Sequence, residues 1–368
     1  MSLVLYRKYR PQTFADVIGQ EHVVQTLTNA ISAGMISHAY LFSGPRGSGK
    51  TTLARLLAKA ANCENRKEGQ FEPCNKCSSC LEITDNRSMD LIEIDAASHR
   101  GIDEIRELKE GIKFSPVKSK YKVFIIDESH QLTKEAANAL LKTLEEPPSH
   151  AIFILATTEI HKMIATIISR CQRFDFRRLT VPEIIKRLEI LCSKEKVKIE
   201  RTALELIAIN AAGAIRDAES LLDQALTFAG NLNRELKTED IKNILGLVEV
   251  ELISNFCGFL FQKKALETVN YLNDLVDKGF DLQEFSKALI NYLRQGLILK
   301  ITGSVAANQI ITGLTKEEFE KLQKQTADLK EADLHKVIDL FLEAGNKMKY
   351  SPIPQLPLEL AIIDFCTI

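Results

Sequence analysis

The 368-residue sequence has almost no net charge, because 48 lysines and arginines face 49 aspartates and glutamates, leaving −1. That balance excludes a globally basic nucleic-acid binder, so any such contact must come from a local patch. No apolar run approaches the ~18 residues of a membrane-spanning helix. The apolar start Met1–Leu5, followed by Tyr6-Arg7-Lys8-Tyr9-Arg10-Pro11, is too short for a signal peptide. The expected address is the cytoplasm. No internal repeat or low-complexity segment interrupts the chain. With 45% apolar and 26% charged residues, it has the composition of a globular protein of two or three domains.

Up to about residue 178, short apolar runs alternate with amphipathic stretches. The predicted strands are His38–Ser43, Leu91–Asp95, Lys122–Ile126, Ile152–Thr157 and Arg173–Phe176. Helical periodicity separates them; in Thr52–Asn62, residues Leu53, Leu56, Leu57, Ala60 and Ala61 fall on one face. Such alternation predicts a parallel sheet with helices on both faces. After Thr180-Val181-Pro182 only helical patterns remain: Glu183–Lys196, Thr202–Ala212, Ala214–Ala229, Leu282–Ile301 and Ala332–Met348. The apolar segment Leu358–Phe365 is predicted to pack into its own domain or against a neighbouring subunit.

Gly44-Pro45-Arg46-Gly47-Ser48-Gly49-Lys50-Thr51 matches the P-loop pattern, with Thr52 following at the helix start. Glycines let backbone N–H groups converge on phosphate oxygens, and the next helix adds its positive end. Lys50 would reach the β- and γ-phosphates of ATP, and Thr51 would hold Mg²⁺. A chance match in a glycine-rich turn is disfavoured by the apolar strand before the loop and the amphipathic helix after it. Val123-Phe124-Ile125-Ile126-Asp127-Glu128 ends a strand in two carboxylates, at the sheet edge where α/β ligands bind. Asp127 would order the magnesium's water shell, and Glu128 would act as general base on the attacking water. Thr158, at a strand end, can hold that water. With Arg170 in Ser169-Arg170-Cys171 and Arg216 at a helix start, it suggests a ring-type ATPase, although each alone is weak.

Of eight cysteines, Cys63, Cys74, Cys77 and Cys80 crowd together with the spacing C-x10-C-x2-C-x2-C. Four thiolates close a tetrahedral structural zinc site. An iron–sulfur cluster is the chemical rival, since C-x2-C-x2-C also occurs there. Zn²⁺ is favoured because the run is an insertion between a helix and a strand with no redox motif beside it. Cys171, Cys192, Cys257 and Cys366 read as core residues. Candidate phosphate contacts to DNA are His99, Arg100, Arg106 and Lys109, and Lys134 after Thr133. They are interleaved with Asp103, Glu104 and Glu107, and a solvated face explains any one of them equally well.

Together these residues resemble the AAA+ clamp-loader family. The resemblance also rests on Tyr9-Arg10-Pro11, Phe14, Val17-Ile18-Gly19-Gln20, Leu140-Leu141-Lys142-Thr143-Leu144-Glu145-Glu146-Pro147-Pro148 and Gly213–Gln224. It covers most of residues 1–230, and the last third matches only in length and helical character. It implies an AAA+ ATPase core over 1–178 with a five-stranded parallel sheet and a zinc insert at 63–80. A helical lid over 179–243 and an all-α collar over 244–368 would follow. By the same resemblance Thr158 is sensor 1 and Arg216 sensor 2, Arg170 is an arginine finger acting in trans, and Val17 and Ile18 line the adenine pocket. The implied partners are other loader subunits (delta, delta-prime and further copies of the motor subunit), the sliding clamp, and primed DNA bound without sequence preference. The implied activity is ATP-driven clamp loading, with no polymerase site in this chain. The related delta-prime subunit typically has a degraded P-loop, whereas Gly49, Lys50 and Thr51 are intact here. Ser129 departs from the valine or alanine expected in relatives. Longer family members carry C-terminal domains beyond this length, so a short form or a piece of a longer chain is expected. The alternatives are a nucleotide-binding scaffold subunit, or another AAA+ machine such as a branch-migration helicase or helicase loader.

Overall fold

The computed structural model describes residues 4–98, 111–112, 114–230, 235–245, 250–310, 316–327 and 329–367. They form two compact units, Met1–Lys237 and Thr238–Ile368.

The first unit is built on five parallel strands: β1 (Ala39–Ser43), β2 (Leu91–Asp95), β3 (Lys122–Asp127), β4 (Ala151–Thr157) and β5 (Gln172–Asp175). Their order is β2-β3-β4-β1-β5. Every residue of β1 and β4 is buried, and so is β3 up to Ile126. Strands covered on both faces read as unbroken apolar runs, which is why these three stand out in the sequence. Residues alternate between faces. Tyr40, Phe42, Ile125 and Ile154 join one core cluster with the helix Lys50–Ala61. Leu41, Phe124, Ile126, Phe153 and Leu155 join another, beneath Lys134–Glu145. Phe124 and Phe153 stack at 5.3 Å, and Phe42 meets Phe174 edge-on at 5.7 Å. β5 starts one residue before its predicted position. Its pairing with β1 ends at Asp175 opposite Ser43, and Phe176 then turns under the P-loop.

Among the described residues, this unit has the helices α1 (Leu5–Lys8), α2 (Glu21–Ser32), α3 (Lys50–Ala61), α4 (Ser78–Thr84), α5 (Lys134–Glu145), α6 (Ala165–Ile168), α7 (Val181–Glu195), α8 (Arg201–Asn210) and α9 (Ile215–Ala229). Helix α7 starts at the predicted place, with Pro182 in its first turn and a Thr180–Glu183 capping box. Arg177 grips Glu183 with two N–H groups at 2.6 and 2.9 Å, and with the Thr180 N–H it holds that carboxyl down to about 2. This fixes the entry from sheet to lid. Deeper in, Arg187 of α7 pairs with Glu219 of α9 at 2.7 Å, both side chains almost fully buried, and Arg187 also donates to the Tyr9 carbonyl at 2.5 Å. Burial pushes the Glu219 carboxyl up while Arg187 pulls it down.

The second unit is all helical: α10 (Thr238–Ile244), α11 (Val250–Phe261), α12 (Ala265–Asp277), α13 (Leu282–Ile310), α14 (Lys316–Ala327), α15 (Glu331–Met348) and α16 (Leu356–Thr367). Its first helix is α10. Phe256, Phe285 and Phe341 form its aromatic centre, with edge-on contacts at 5.2 and 6.0 Å. Leu358, Ile362 and Phe365 of α16 are buried against that core. The predicted helix from Leu282 runs regularly until Gly303, whose φ of 73° breaks it. Among the described residues no helix is long and apolar enough to cross a membrane.

The Arg187–Glu219 pair yields a stability prediction. Arg187→Ala would leave Glu219 buried without its partner, costing about 3–5 kcal/mol. Urea unfolding followed by circular dichroism measures this, and a loss within ~0.5 kcal/mol would show that the pair does not hold the lid.

Candidate functional site

The loop after β1 folds as a phosphate cradle because its glycines take conformations other residues resist. Gly44 has φ +150°, and a Cβ there would lie 2.4 Å from the Phe176 carbonyl oxygen. Gly47, at φ +74°, lets the loop pass the lid, where a Cβ would meet that of Ala214 at 3.0 Å. Helix α3 begins at Lys50, so its free N–H groups face the loop's hollow. The Lys50 ammonium, 6% exposed, donates to the carbonyls of Gly44 and Pro45, both at 2.8 Å. Burial pushes its pKa down against the opposing pull of Glu128 and Asp127.

The sheet brings the second motif alongside. Thr51 donates its hydroxyl proton to Asp127 Oδ2 at 2.8 Å, and Asp127 Oδ1 accepts the Glu128 N–H at 2.9 Å. This hydroxyl–carboxylate pair is suited to a hydrated divalent cation, since both groups offer hard oxygen donors. Glu128 sits in the left-handed region at φ 48°, ψ 41°. Such a conformation costs a non-glycine residue about 1–3 kcal/mol and collects at functional sites. Here it turns the carboxylate off the end of β3, where Thr158 donates to its Oε2 at 2.8 Å. Ser129 occupies a buried niche and bonds the Ala156 carbonyl at 3.0 Å, so the unusual hydroxyl is satisfied.

A cavity of about 240 Å³ opens over this loop. Arg46 to Thr52, Asp127 and Glu128 form its floor, and Val17, Ile18 and Asp16 form one wall. The lid contributes Ile215, Arg216 and Glu219. The Arg216 guanidinium lies over the Tyr6 ring at 4.7 Å and lowers that phenol below its ordinary value. Gly44 and Pro45 stand behind the floor, holding Lys50. Arg170 lies away from the cavity, bonded to Glu145 at 2.6 Å and to the Thr166 carbonyl at 2.9 Å. Lys134 is exposed at the start of α5. His99, Arg100, Arg106 and Lys109 lie outside the described residues.

Several residues of this site had no assigned role in the sequence reading. Tyr6, Arg7, Arg10 and Pro11 line the cavity, as do Leu179 and Arg187. Gln20, 1% exposed, clasps Arg177 through both backbone groups at 2.8 and 3.2 Å. Only Tyr9-Arg10-Pro11 and Gly19-Gln20 carried a signal, as parts of a motif without a role. His130 is a further omission. Its side chain is 4% exposed, with Nδ1 3.0 Å from Thr157 Oγ1 and Nε2 3.2 Å from a Glu159 oxygen, directly behind Glu128.

The cysteine run forms a separate centre. The sulfurs of Cys63, Cys74, Cys77 and Cys80 lie within 4.8 Å of one another. A metal with sulfur bonds of ~2.3 Å needs sulfurs about 3.8 Å apart, and Cys74 and Cys80 are at 4.0 Å. Backbone N–H groups point at the sulfurs: Cys74 N to Cys63 at 3.3 Å, and Lys76 N and Cys77 N to Cys74 at 3.4 and 3.3 Å. Burial opposes ionisation of Cys74, but hydrogen bonds from the Lys76 and Cys77 N–H groups and from the Cys63 and Cys77 side chains together bring the thiol down to about 6. Four converging sulfurs with N–H support fit a closed tetrahedral metal, zinc among the candidates.

Comparisons with known proteins place the chain in a family. Residues 183–231 match the model of the DNA polymerase III clamp loader subunit ATPase lid domain, and 236–368 that of DNA polymerase III subunits gamma and tau domain III. Residues 19–180 match a model described as DNA polymerase III, delta subunit. DNA polymerase III subunit gamma of Buchnera aphidicola is 36% identical over 361 residues, covering 98% of this chain and 97% of that one. The chain belongs to the DNA polymerase III gamma/tau family. Subunit tau of Bacillus subtilis is 45% identical over 362 residues, and that of Escherichia coli 36% over 360. This chain spans 63% and 54% of their respective lengths. A solved structure of the Thermotoga maritima RuvB Holliday junction branch migration motor matches with a TM-score of 0.50 at 20% identity, covering 68% of this chain and 78% of that one. That likeness extends to the fold alone. The gamma/tau relationship rests on sequence along nearly the whole chain, including the helical second unit.

Proposed function

We propose that this chain is the ATP-hydrolysing motor subunit of a bacterial sliding-clamp loader, placing the clamp on primed DNA during replication. The observation that carries this reading is the Thr51–Asp127–Glu128–Thr158 arrangement at the mouth of an intact P-loop. Lys50 would leave the Gly44 and Pro45 carbonyls for the β- and γ-phosphates. Thr51 and Asp127 would hold Mg²⁺, which when bound neutralises phosphate charge. Glu128 would take the proton of the attacking water, once released from the Thr158 hydroxyl, and Thr158 would then steady that water. Val17 and Ile18 would face the adenine, and Arg216 would report nucleotide to the lid, residues 179 onward.

Arg170 would act in trans as the arginine finger. Its position off the cavity, on an exposed surface, supports delivery to a neighbour's ATP. The expected partners are delta, delta-prime and further gamma/tau copies in a ring, with the clamp and primed DNA as targets. An exposed apolar row on the second unit supports a collar role: Leu356, Leu360 and Ile363 of α16 are each between 40% and 51% exposed, at helical spacing. The four cysteines would hold structural Zn²⁺.

Four measurements test these assignments. Glu128→Gln should bind ATP normally but abolish single-turnover hydrolysis in the reconstituted loader, and hydrolysis equal to wild type would favour a scaffold subunit over a motor. In the same complex, clamp and primed DNA together should stimulate ATPase in a salt-sensitive way, which separates a loader from other AAA+ machines. Arg170→Ala should leave ATP binding by the isolated chain intact and cut hydrolysis by the complex by ~10³ or more. Loss of ATP binding by the isolated chain would place this arginine in cis instead. Elemental analysis should find one zinc per chain, lost in Cys77→Ser together with a lowered melting temperature. A metal-free Cys77→Ser protein that melts like wild type would remove the structural role.

A further inference from the structure

The cysteine module touches the wall of the nucleotide cavity at a specific place. The short 3₁₀ turn Phe14–Asp16 leads directly into Val17 and Ile18 on that wall. A turn this short leaves its first N–H groups without internal partners. Glu72, between Cys63 and Cys74 in the chain, takes both: its Oε2 accepts the Phe14 N–H at 2.9 Å and its Oε1 the Ala15 N–H at 3.0 Å. The neighbouring Phe71 ring meets the buried Phe14 ring edge-on at 6.4 Å. A second tie lies upstream. Gln12 Oε1 accepts the Lys59 ammonium of α3 at 2.6 Å and the Thr84 hydroxyl of α4 at 3.2 Å. On its other side the module is anchored to the P-loop helix, where Arg66 Nε donates to the Ala60 carbonyl at 2.8 Å. The cysteine module therefore spans from the end of the P-loop helix to the segment carrying Val17 and Ile18.

We propose that the cysteine module braces the base-side wall of the nucleotide cavity, with Glu72 and Phe71 as positioning residues that set nucleotide affinity without touching the nucleotide. The inference rests on the ATP reading given above and deepens it. A carboxylate accepting two N–H groups makes charge-assisted bonds, stronger than neutral ones. Removing them frees the turn, so the cavity must order it on binding. The cost falls on affinity, and the chemistry at Glu128, which Glu72 does not touch, is left alone.

The test uses the full chain with a fluorescent ATP analogue, together with hydrogen exchange on nucleotide-free protein. Glu72→Ala should raise the analogue's Kd about tenfold, as the loss of two charge-assisted bonds implies. It should also speed exchange at the Phe14 and Ala15 amides while keeping the wild-type metal content. Glu72→Gln, which keeps one acceptor oxygen, should fall between, and it serves if the alanine variant folds poorly. In the reconstituted loader KM should rise with kcat unchanged. Glu68→Ala, on the exposed side of the same module, should change none of these. Faster exchange with an unchanged Kd would overturn the inference, as would unchanged exchange. Wild-type protein that fails to bind the analogue would sink the ATP reading itself, a result distinct from either.

Discussion

Strand β1 lies in the interior of a wholly parallel sheet, and its carboxyl end is where the functional residues gather. A parallel sheet must be covered on both faces, so its connections run through helices and all its strands end on one edge. β1 ends at Ser43 opposite Thr157 of β4 and Asp175 of β5, and β3 ends one strand beyond. The P-loop leaves β1, the carboxylates leave β3, and Thr158 leaves β4. The Thr51–Asp127 hydrogen bond closes this set by tying the start of α3 to the end of β3. Sheet order, with the turn from β1 into α3, brings the hydroxyl to the carboxylate.

The lid completes the cavity through a costlier device. Arg187 and Glu219 are ionisable groups taken out of water, and such a pair contributes little net stability compared with an apolar replacement. Its geometry is the part that matters. Arg187 reaches the Tyr9 carbonyl as well as Glu219, so one guanidinium holds two lid helices and the N-terminal segment in one arrangement around the nucleotide cavity. Arg216 and Tyr6 meet on the same wall.

Much of this was readable in the sequence, and the rest was hidden for identifiable reasons. Ile152–Thr157 announces itself because a doubly covered strand is almost wholly apolar. Gly44 to Thr51 announces itself because backbone approach to phosphate demands glycine. Lys50, Asp127 and Glu128 follow from strand and loop ends. Tyr6, Arg187 and Glu219 gave no such signal, since they reach the cavity only after the lid folds back over α1. Glu72 is the extreme case. Its partner Phe14 is 58 positions away, and a carboxylate in a cysteine-rich loop looks like any solvated charge. The break at Gly303, by contrast, falls just past the end predicted for that helix at Ile301.

Arg170 shows why an arginine that would act on another chain can look idle in its own. Its partner here is Glu145, with the two side chains 33% and 48% exposed. Exposed pairs of this kind are worth about 0–1 kcal/mol, because water screens them and two long side chains must be ordered. On the proposed reading, a triphosphate at a subunit interface would offer the guanidinium several charged oxygens with less screening than Glu145 has. Glu145 thus suits a resting place that keeps the guanidinium folded against α5 without competing for it. The same comparison explains the contrast with Arg187. A buried pair with a third contact to backbone is expensive to open and belongs to the architecture. An exposed one beside a proline-bounded turn is cheap to open, which on the proposed reading is what a residue shared between subunits requires.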